Sequence, residues 1–376
     1  MQFISKDVFT QASLSIKSLL VEFVGIESPS SNKAAVDRLG ARITRELVEL
    51  DGNIEIYEQE KRGNIVTARW GDGRDGILTL CHMDTVFDLG TVAQRPFREA
   101  DGKLYGPGVL DMKSGIAILL SVLCLFRQNN TWPTRSLTLL FTSDEEIGSF
   151  ASRELIENEA RNASVVFCLE PGLPDGALKT SRKGVGEIDL SVKGVSAHAG
   201  ADHEKGRNAI EEMAYHVLVA QKLTDYDKGT TVNVGLIRGG TRTNVVPETA
   251  KAMIDFRVTS KDEVSRLEEW VKGLKPVIQG VEISASFTLN RPPMPRDDRM
   301  VQTFKKAQSI VEEIRLNLNE GSTGGGSDAN FVAALGIPVL DGLGGVGDGA
   351  HSEREYILSD SLAERAALQA ALLLNW

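Results

Sequence analysis

The feature that most constrains this chain is a set of short apolar segments, each followed by acidic or histidine side chains. Residues 77–81 have the length and composition of a buried strand, and His82 and Asp84 come directly after them. Imidazole is a good metal ligand when its second ring nitrogen is held, and a nearby carboxylate can hold it. A surface histidine and aspartate at the start of a turn would give the same local pattern.

Two further apolar segments repeat this pattern. Residues 136–142 precede Glu145 and Glu146, and residues 164–169 precede Glu170. Open α/β sheets form their sites at the carboxyl ends of the strands. We therefore predict an α/β fold with these acidic groups gathered at one edge of a sheet.

Two more candidate residues, Asp111 and His351, stand in glycine-rich loops. Gly106 and Gly108 permit unusual backbone angles just before Asp111, and residues 116–126 then form an apolar run typical of a buried helix. Aspartate is also a common helix N-cap, so a capping role for Asp111 stays open at this point.

The chain is long enough for two domains. Its 376 residues exceed the size at which single cores stop growing. From about residue 183 the pattern reads β-α-β-β-α-β, which is the ferredoxin-like order. We predict a catalytic domain formed by 1–182 and 293–376, with 183–292 inserted as a separate α+β domain.

Composition excludes several classes of partner. With 41% hydrophobic and 25% charged residues and a formal net charge of −10, the chain is suited neither to nucleic acid nor to an anionic membrane. The longest apolar run, 116–126, is too short to span a bilayer. Residues 1–7 lack a signal-peptide pattern, and the three cysteines lie in apolar runs. We expect a cytoplasmic protein with reduced thiols.

The collected candidates offer nitrogen and carboxylate donors but no thiolate, a set that suits zinc, cobalt or manganese. Several carboxylates in one cleft repel each other unless cations are present, and two divalent ions sharing a bridging carboxylate would remove that repulsion. The candidate donors are His82, Asp111, Glu145, Glu146, Glu170 and His351.

Six motifs stand at residues 80–86, 106–113, 142–149, 170–171, 194–200 and 347–352. In this order they resemble the motifs of the co-catalytic zinc amidohydrolases. That family includes glutamate carboxypeptidase, acetylornithine deacetylase, succinyl-diaminopimelate desuccinylase and aminoacylase. The resemblance covers almost the whole chain and implies a zinc-exopeptidase-like mixed β-sheet flanked by helices, with an inserted ferredoxin-like lid and dimerisation domain. It therefore also implies a homodimer.

The resemblance implies two zinc ions that share Asp111 as a bridge, and Co²⁺ or Mn²⁺ could replace zinc. It also implies a cis peptide after Asp111, an orienting role for Asp84 and a general-base role for Glu145. Purely structural roles for Asp84 and Glu145 remain the alternatives. The implied ligand sets are His82, Asp111 and Glu170 for one ion, and Asp111, Glu146 and His351 for the other.

In the inserted domain, the resemblance implies that His198 crosses to the partner subunit's site and stabilises the oxyanion. Asn244 and Arg257 would assist and bind the substrate's carboxylate. A structural salt bridge is the alternative for Arg257, which lies in a predicted strand. His203 and His216 are expected to stay outside the site.

A run of three glycines offers backbone N–H groups near a predicted helix start, where a substrate carboxylate could bind. A flexible loop capped by Ser327 is the alternative. The run lacks the lysine of a Walker-type phosphate loop. Its members are Gly324, Gly325 and Gly326.

Together these features predict a zinc metallocarboxypeptidase. It would hydrolyse an amide beside a free C-terminal carboxylate and release an amino acid such as glutamate from a small peptide or N-acyl amino acid. An N-acyl amino acid deacylase of the same family is the enzyme alternative. A non-catalytic binding protein on the same fold is the alternative from another class.

Overall fold

The computed structural model describes residues 2, 4, 6–71 and 75–376. They form two compact units. Unit 1 contains the described residues up to Ser181 together with Arg296–Thr323 and Ser327–Trp376, and unit 2 contains Arg182–Pro295 and Gly324–Gly326. The glycine run thus belongs to the smaller unit, although the chain on both sides of it belongs to the larger one.

The α-helices of the described chain are α1 Lys6–Gly25, α2 Lys33–Glu49, α3 Thr91–Gln94, α4 Ser114–Gln128, α5 Arg153–Arg161, α6 Ala209–Gln221, α7 Lys261–Lys272, α8 Asp298–Glu312, α9 Ala329–Ala334 and α10 Ser361–Asn375. The strands are β1 Asn53–Tyr57, β2 Ile65–Trp70, β3 Gly76–His82, β4 Arg98–Ala100, β5 Lys103–Tyr105, β6 Leu137–Thr142, β7 Ala163–Cys168, β8 Leu178–Arg182, β9 Gly184–Lys193, β10 Thr231–Gly239, β11 Thr249–Val258, β12 Glu282–Arg291, β13 Glu320–Thr323, β14 Val339–Asp341, β15 Gly347–Asp348 and β16 Tyr356–Leu358.

An eight-stranded mixed sheet in the order β1-β2-β6-β3-β7-β14-β8-β13 organises unit 1. Strand β3 lies between β6 and β7 and is parallel to both. The carboxyl ends of these three strands therefore meet at one edge of the sheet, as expected for an α/β site. This sheet and its flanking helices confirm the predicted fold class.

Helix α4 is the central helix of this core. Ile116, Ile118 and Leu120 have no exposed surface, and the helix is buried on nearly every side. The stretch Val109–Gln128 is long and apolar enough to cross a membrane by length and composition, with a mean hydropathy of 2.0, but 89% of it is buried inside the protein. It is longer than the apolar run read from the sequence, and its burial is that of a core helix.

A second, small sheet in unit 1 has the order β15-β16-β5-β4. Its register pairs Tyr356 with Tyr105 and Ile357 with Leu104. Strand β5 leads directly into the loop that carries Asp111, and β16 ends the hairpin that carries His351. The pairing of β5 with β16 therefore brings two distant parts of the sequence side by side.

Unit 2 contains a four-stranded antiparallel sheet in the order β10-β11-β9-β12, with α6 and α7 packed against it. Both the chain order and the strand order are those of a ferredoxin-like domain. The unit has its own hydrophobic core, in which Ile188, Ile254 and Phe256 are fully buried. Phe256 stacks on Phe287 with ring centroids 4.8 Å apart.

Local sequence determines the starts of both helices of unit 2. The side chain of Asn208 accepts hydrogen bonds from two backbone N–H groups in the first turn of α6, and that of Ser260 accepts one in the first turn of α7. Helix α7 ends at Lys272. None of the three cysteines forms a disulfide, as expected.

Candidate metal centre

His82 is the last residue of β3 and only 3% exposed. Its Nδ1 lies 3.0 Å from the backbone carbonyl oxygen of Asp84, whereas the Asp84 carboxylate is 3.6 Å away. A carbonyl oxygen can only accept, so Nδ1 carries a proton and donates it. Asp84 therefore contacts His82 more closely through its main chain than through its side chain.

The buried carboxylate of Asp84 holds the turn after β6 instead. Its Oδ1 accepts the N–H of Glu145 at 3.2 Å, and its Oδ2 accepts the N–H of Glu146 at 3.2 Å. The Ser30 hydroxyl donates to Oδ2 at 2.6 Å. One aspartate therefore positions both glutamates that follow the strand.

Asp111 lies between the two candidate histidines. Its Oδ1 is 3.0 Å from Nε2 of His82, and its Oδ2 is 3.4 Å from Nε2 of His351. The Asp111–Met112 peptide is cis, as the resemblance implies. Helix α4 starts at Ser114 without a side-chain cap, so Asp111 is not its N-cap.

Glu170 and Glu146 complete the arrangement, one beside each histidine. Glu170 Oε1 is 3.4 Å from His82 Nε2, and Glu146 Oε2 is 3.0 Å from His351 Nε2. The other oxygen of Glu146, Oε1, is buried and has no hydrogen-bond partner among the described residues. A buried carboxylate oxygen of this kind suits a metal ligand.

The donor atoms are close enough to hold metal ions. One atom from each of His82, Glu145 and Glu170 lies within 4.8 Å of the others, and the same is true of His82, Asp111 and Glu146. The first group places Glu145 beside His82 and Glu170. Histidine and carboxylate donors without cysteine are the ligands of catalytic rather than structural zinc.

The carboxylates of the cluster stabilise positive charge on His82 and His351. Hydrogen bonds that His351 donates to the carboxylates of Asp111 and Glu146 raise its pKa to about 11. Burial acts to lower the pKa of His82, but the surrounding carboxylates, Asp111 first, raise it well above its ordinary value. Bound metal ions would displace these protons and supply the charge themselves.

The pKa values of the two carboxylates nearest His351 are shifted in opposite directions. Burial raises the pKa of Glu146 to about 7, against the hydrogen bond to His351. Burial also acts to raise the pKa of Asp111, but hydrogen bonds to His351 and His82 outweigh it and hold the pKa below its usual range. Asp111 is therefore the carboxylate that stays ionised between two positive groups.

In unit 2, His198 and Asn244 stand in neighbouring exposed loops. The N–H of Ala199 donates to the carbonyl oxygen of Asn244 at 3.0 Å. Nδ1 of His198 accepts the N–H groups of Gly200 at 3.1 Å and Ala201 at 3.0 Å. With Nδ1 acting as the acceptor, the proton of a neutral His198 must be on Nε2.

Arg257 forms the salt bridge that the sequence left open. Its Nε lies 3.0 Å from Asp255 Oδ1, and its Nη2 lies 2.9 Å from Asp255 Oδ2. In the sheet, Val185 pairs with Arg257 on one side and with Arg291 on the other. Residues in register point to the same face, so the two arginines flank Val185.

The glycine run packs against this part of the sheet. A Cβ atom on Gly326 would lie 2.8 Å from Cδ of Arg291 and 2.9 Å from Cγ2 of Val185, so only glycine fits without a shift. The carbonyl oxygens of Gly325 and Gly326 accept hydrogen bonds from Arg182. Helix α9 begins at Ala329, shortly after the run.

Two residues that contact the proposed site residues, Ser30 beside Asp84 and Glu355 beside Asp111, were not predicted from the sequence. Glu355 is 2% exposed, and burial raises its pKa to about 7 although three backbone N–H groups bind it. A single acidic residue before a short strand is typical of a solvated hairpin, so the sequence did not indicate that Glu355 is buried. His203 is exposed, and the buried His216 pairs with Glu212 at 2.7 Å.

The fold and the donor set define a class of proteins, the hydrolases whose metal ions are held by histidine and carboxylate side chains. The model of Peptidase family M20/M25/M40 matches residues 78–375. The chain belongs to this family and is a metallopeptidase.

Curated relatives and solved structures agree with this assignment. Carboxypeptidase G2 of Pseudomonas sp. (strain RS-16) is 31% identical over 368 residues, which cover 95% of this chain and 88% of the relative. Succinyl-diaminopimelate desuccinylase of Dechloromonas aromatica (strain RCB) is 31% identical over 294 residues, 73% of this chain and 75% of the relative. The Bacillus subtilis YXEP protein, a dinuclear metal binding peptidase, has the same fold with a TM-score of 0.70 at 15% identity, covering 97% of this chain and 98% of that one.

Proposed function

We propose that this chain is a di-metal carboxypeptidase that hydrolyses an amide beside a free C-terminal carboxylate and releases an amino acid such as glutamate. One observation carries the proposal. The two oxygens of Asp111 face Nε2 of His82 and Nε2 of His351, at 3.0 and 3.4 Å. A carboxylate placed between two such ligands is suited to bridge two metal ions.

The ligands of one ion would be His82, Asp111 and Glu170, and those of the other would be Asp111, Glu146 and His351. Zinc is the expected metal, and Co²⁺ or Mn²⁺ suit the same donors. When bound, the ions supply Lewis-acid polarisation of the scissile carbonyl and a lowered pKa for water.

Glu145 is the proposed general base. It lies beside His82 and Glu170, and Asp84 fixes its backbone N–H. Its carboxylate accepts a proton from the attacking water. It then passes that proton to the leaving amine as the C–N bond breaks.

His198 is the proposed donor to the developing oxyanion. Its Nδ1 accepts two backbone N–H groups, which leaves the proton on Nε2 for donation. In this proposal the chain forms a homodimer, and His198 donates its hydrogen bond in the active site of the partner subunit.

Exposed apolar residues support the homodimer. Strand β10 is an edge strand, and its residues Leu236 and Ile237 are 51% and 54% exposed. On α6, Leu218 is 64% exposed. An edge strand with apolar neighbours is suited to pairing with a second copy of the chain. A cytoplasmic location is part of the proposal and fits three cysteines that form no disulfide.

The substrate's carboxylate would bind to Arg257, with Asn244 and the backbone of the glycine run assisting. Gly326 packs on Val185, the strand neighbour of Arg257. Asp255 already pairs with Arg257, so a substrate carboxylate must compete with it. Carboxypeptidase G2 among the relatives supports a substrate of this kind.

The test is an amine-release assay on the metal-reconstituted chain, with the metal-free chain as control. The panel contains N-acyl-glutamates, dipeptides, N-acetylornithine and succinyl-diaminopimelate. We expect the highest kcat/KM for an N-acyl-glutamate or a peptide with C-terminal glutamate. A preference set by the acyl group regardless of the released amino acid would favour the deacylase alternative. Absence of turnover with both metals bound would favour the binding protein.

A further inference from the structure

Glu355 binds the backbone of the loop that carries Asp111. Its Oε1 accepts the N–H groups of Leu110 at 2.8 Å and Asp111 at 3.0 Å. Its Oε2 accepts the N–H of Gly108 at 2.9 Å. Three donors of one short loop thus converge on one buried carboxylate, and one of them belongs to Asp111 itself.

The loop has a conformation that few sequences can adopt. Gly108 has φ of +72°, a left-handed value that favours glycine, and a Cβ atom there would lie 2.7 Å from Cγ2 of Thr85. This conformation turns the N–H groups of the loop towards Glu355. An ionised carboxylate that accepts several N–H groups forms charge-assisted hydrogen bonds, which are stronger than neutral ones.

Glu355 and His351 belong to the same hairpin between β15 and β16. The register of β16 with β5 places Tyr356 opposite Tyr105, so Glu355 stands where that pairing ends. The hydrogen bonds of Glu355 continue the connection from the end of β5 to Asp111. One side chain therefore links the segment of His351 to the segment of Asp111.

We propose that Glu355 is a positioning residue that holds the Asp111 loop against the His351 hairpin, so that the Asp111 carboxylate can face both histidines. The inference rests on the proposed function, because it assigns Glu355 a role in metal binding. Groups that orient metal ligands typically change metal affinity about 10–100-fold when they are altered. In Glu355→Gln, the amide NH₂ would face a backbone N–H, so at least one of the three hydrogen bonds would be lost.

The experiment compares metal affinity in Glu355→Gln and Glu353→Gln. Glu353 is exposed and lies on the same hairpin, so its replacement removes the same charge close to the same site. Metal-free proteins are titrated with Co²⁺, followed by visible absorption, and with Zn²⁺ against a chelating dye. We expect about 10–100-fold weaker binding and a changed Co²⁺ spectrum for Glu355→Gln, and native values for Glu353→Gln.

The melting temperature of each metal-free protein separates positioning from folding. Glu355→Asp is the second variant, because it keeps the charge but withdraws the carboxylate by one methylene, and we expect it to fold and to lose affinity. Native affinity and spectrum in both Glu355 variants would overturn the inference alone. Failure of both to fold, while Glu353→Gln folds, would make Glu355 a general folding residue and would also overturn it. A native chain that binds no metal would reject the proposed function and this inference with it.

Discussion

His82 in unit 1 and His198 in unit 2 are both candidate functional histidines, but their surroundings are opposite. His82 is buried, and its Nδ1 donates to a carbonyl oxygen, so Nε2 presents a lone pair when it binds a metal. His198 is exposed, and its Nδ1 accepts two backbone N–H groups, so Nε2 carries the proton. One tautomer suits a metal ligand, and the other suits a hydrogen-bond donor.

The same contrast extends to the neighbours of each histidine. Around His82, side chains from three strand ends and two loops lie close together, with nitrogen–oxygen distances of 3.0 to 3.4 Å between neighbours. In unit 2, His198 contacts mainly the backbone of its own loop, and Arg257 is paired with Asp255. Unit 1 is therefore organised for metal binding by its own fold, whereas the proposed roles in unit 2 require a substrate or a partner subunit.

The largest expected effect tests the chemistry of unit 1. Glu145→Gln removes the proposed base but keeps the shape of the side chain, so turnover should fall about 10²–10⁴-fold. Both metals and the melting temperature should stay unchanged, because Glu145 is not a proposed ligand. Metal analysis and steady-state kinetics on the same preparation check this. Native turnover in the variant would remove Glu145 from the mechanism.

A second prediction concerns the oxyanion donor in unit 2. Loss of one such donor typically costs about 10²–10³ in kcat, so His198→Ala should be nearly inactive while it still binds both metals. Mixing His198→Ala with Glu145→Ala should restore activity, because each mixed dimer has one site with its own Glu145 and the partner's intact histidine. With random exchange the recovery should be about a quarter of the native level. Inactivity despite proven subunit exchange would place His198 outside the partner's site.

Substrate choice should show a smaller but clear effect. A site that binds a substrate group by hydrogen bonds rejects analogues that lack it, so the C-terminal amide of a good N-acyl-glutamate should react about 10²-fold more slowly or worse. Arg257→Ala should lose most of the distinction between acid and amide. Arg291→Ala is the comparison variant, since Arg291 flanks the same Val185. Equal kcat/KM for acid and amide in the native enzyme would refute the carboxypeptidase proposal.

The smallest effect concerns the separate cores. Ile188 is fully buried in unit 2, and its change to valine should lower the free energy of unfolding by about 0.5–1.5 kcal/mol. The affinity for metal should not change, because every proposed ligand lies in unit 1. Thermal unfolding and a Co²⁺ titration measure both quantities. A weaker metal affinity would show that the two cores are coupled.

Sequence reasoning was most successful where one local rule decides the outcome. His82 and Glu170 were predicted to follow buried strands, and they lie at the ends of β3 and β7. That prediction was possible because a buried parallel strand has a recognisable length and apolar composition. The β-α-β-β-α-β order of unit 2 was predicted for the same reason. The cis peptide at Asp111 followed from the resemblance and not from any local pattern.

What the sequence could not give depends on long-range pairing. Strands β15 and β16 have two and three residues, too few for a periodic signal, yet β16 connects the His351 hairpin to β5. Glu355 reaches the Asp111 loop because β16 pairs with β5, so its burial cannot be predicted from the residues near it in sequence. Asp84 binds His82 through its carbonyl oxygen and the turn of Glu145 through its carboxylate. This too is seen only in the three-dimensional structure.

In the proposed metal centre, Asp111 bridges two metal ions. The most direct measurement is quantitative metal analysis of the native chain and of Asp111→Asn, after saturation with Zn²⁺ and removal of excess ion. We expect two ions per native chain and a loss of at least one in Asp111→Asn, since the two oxygens of Asp111 face Nε2 of His82 and Nε2 of His351. One ion or none in the saturated native chain would contradict the bridging role of Asp111.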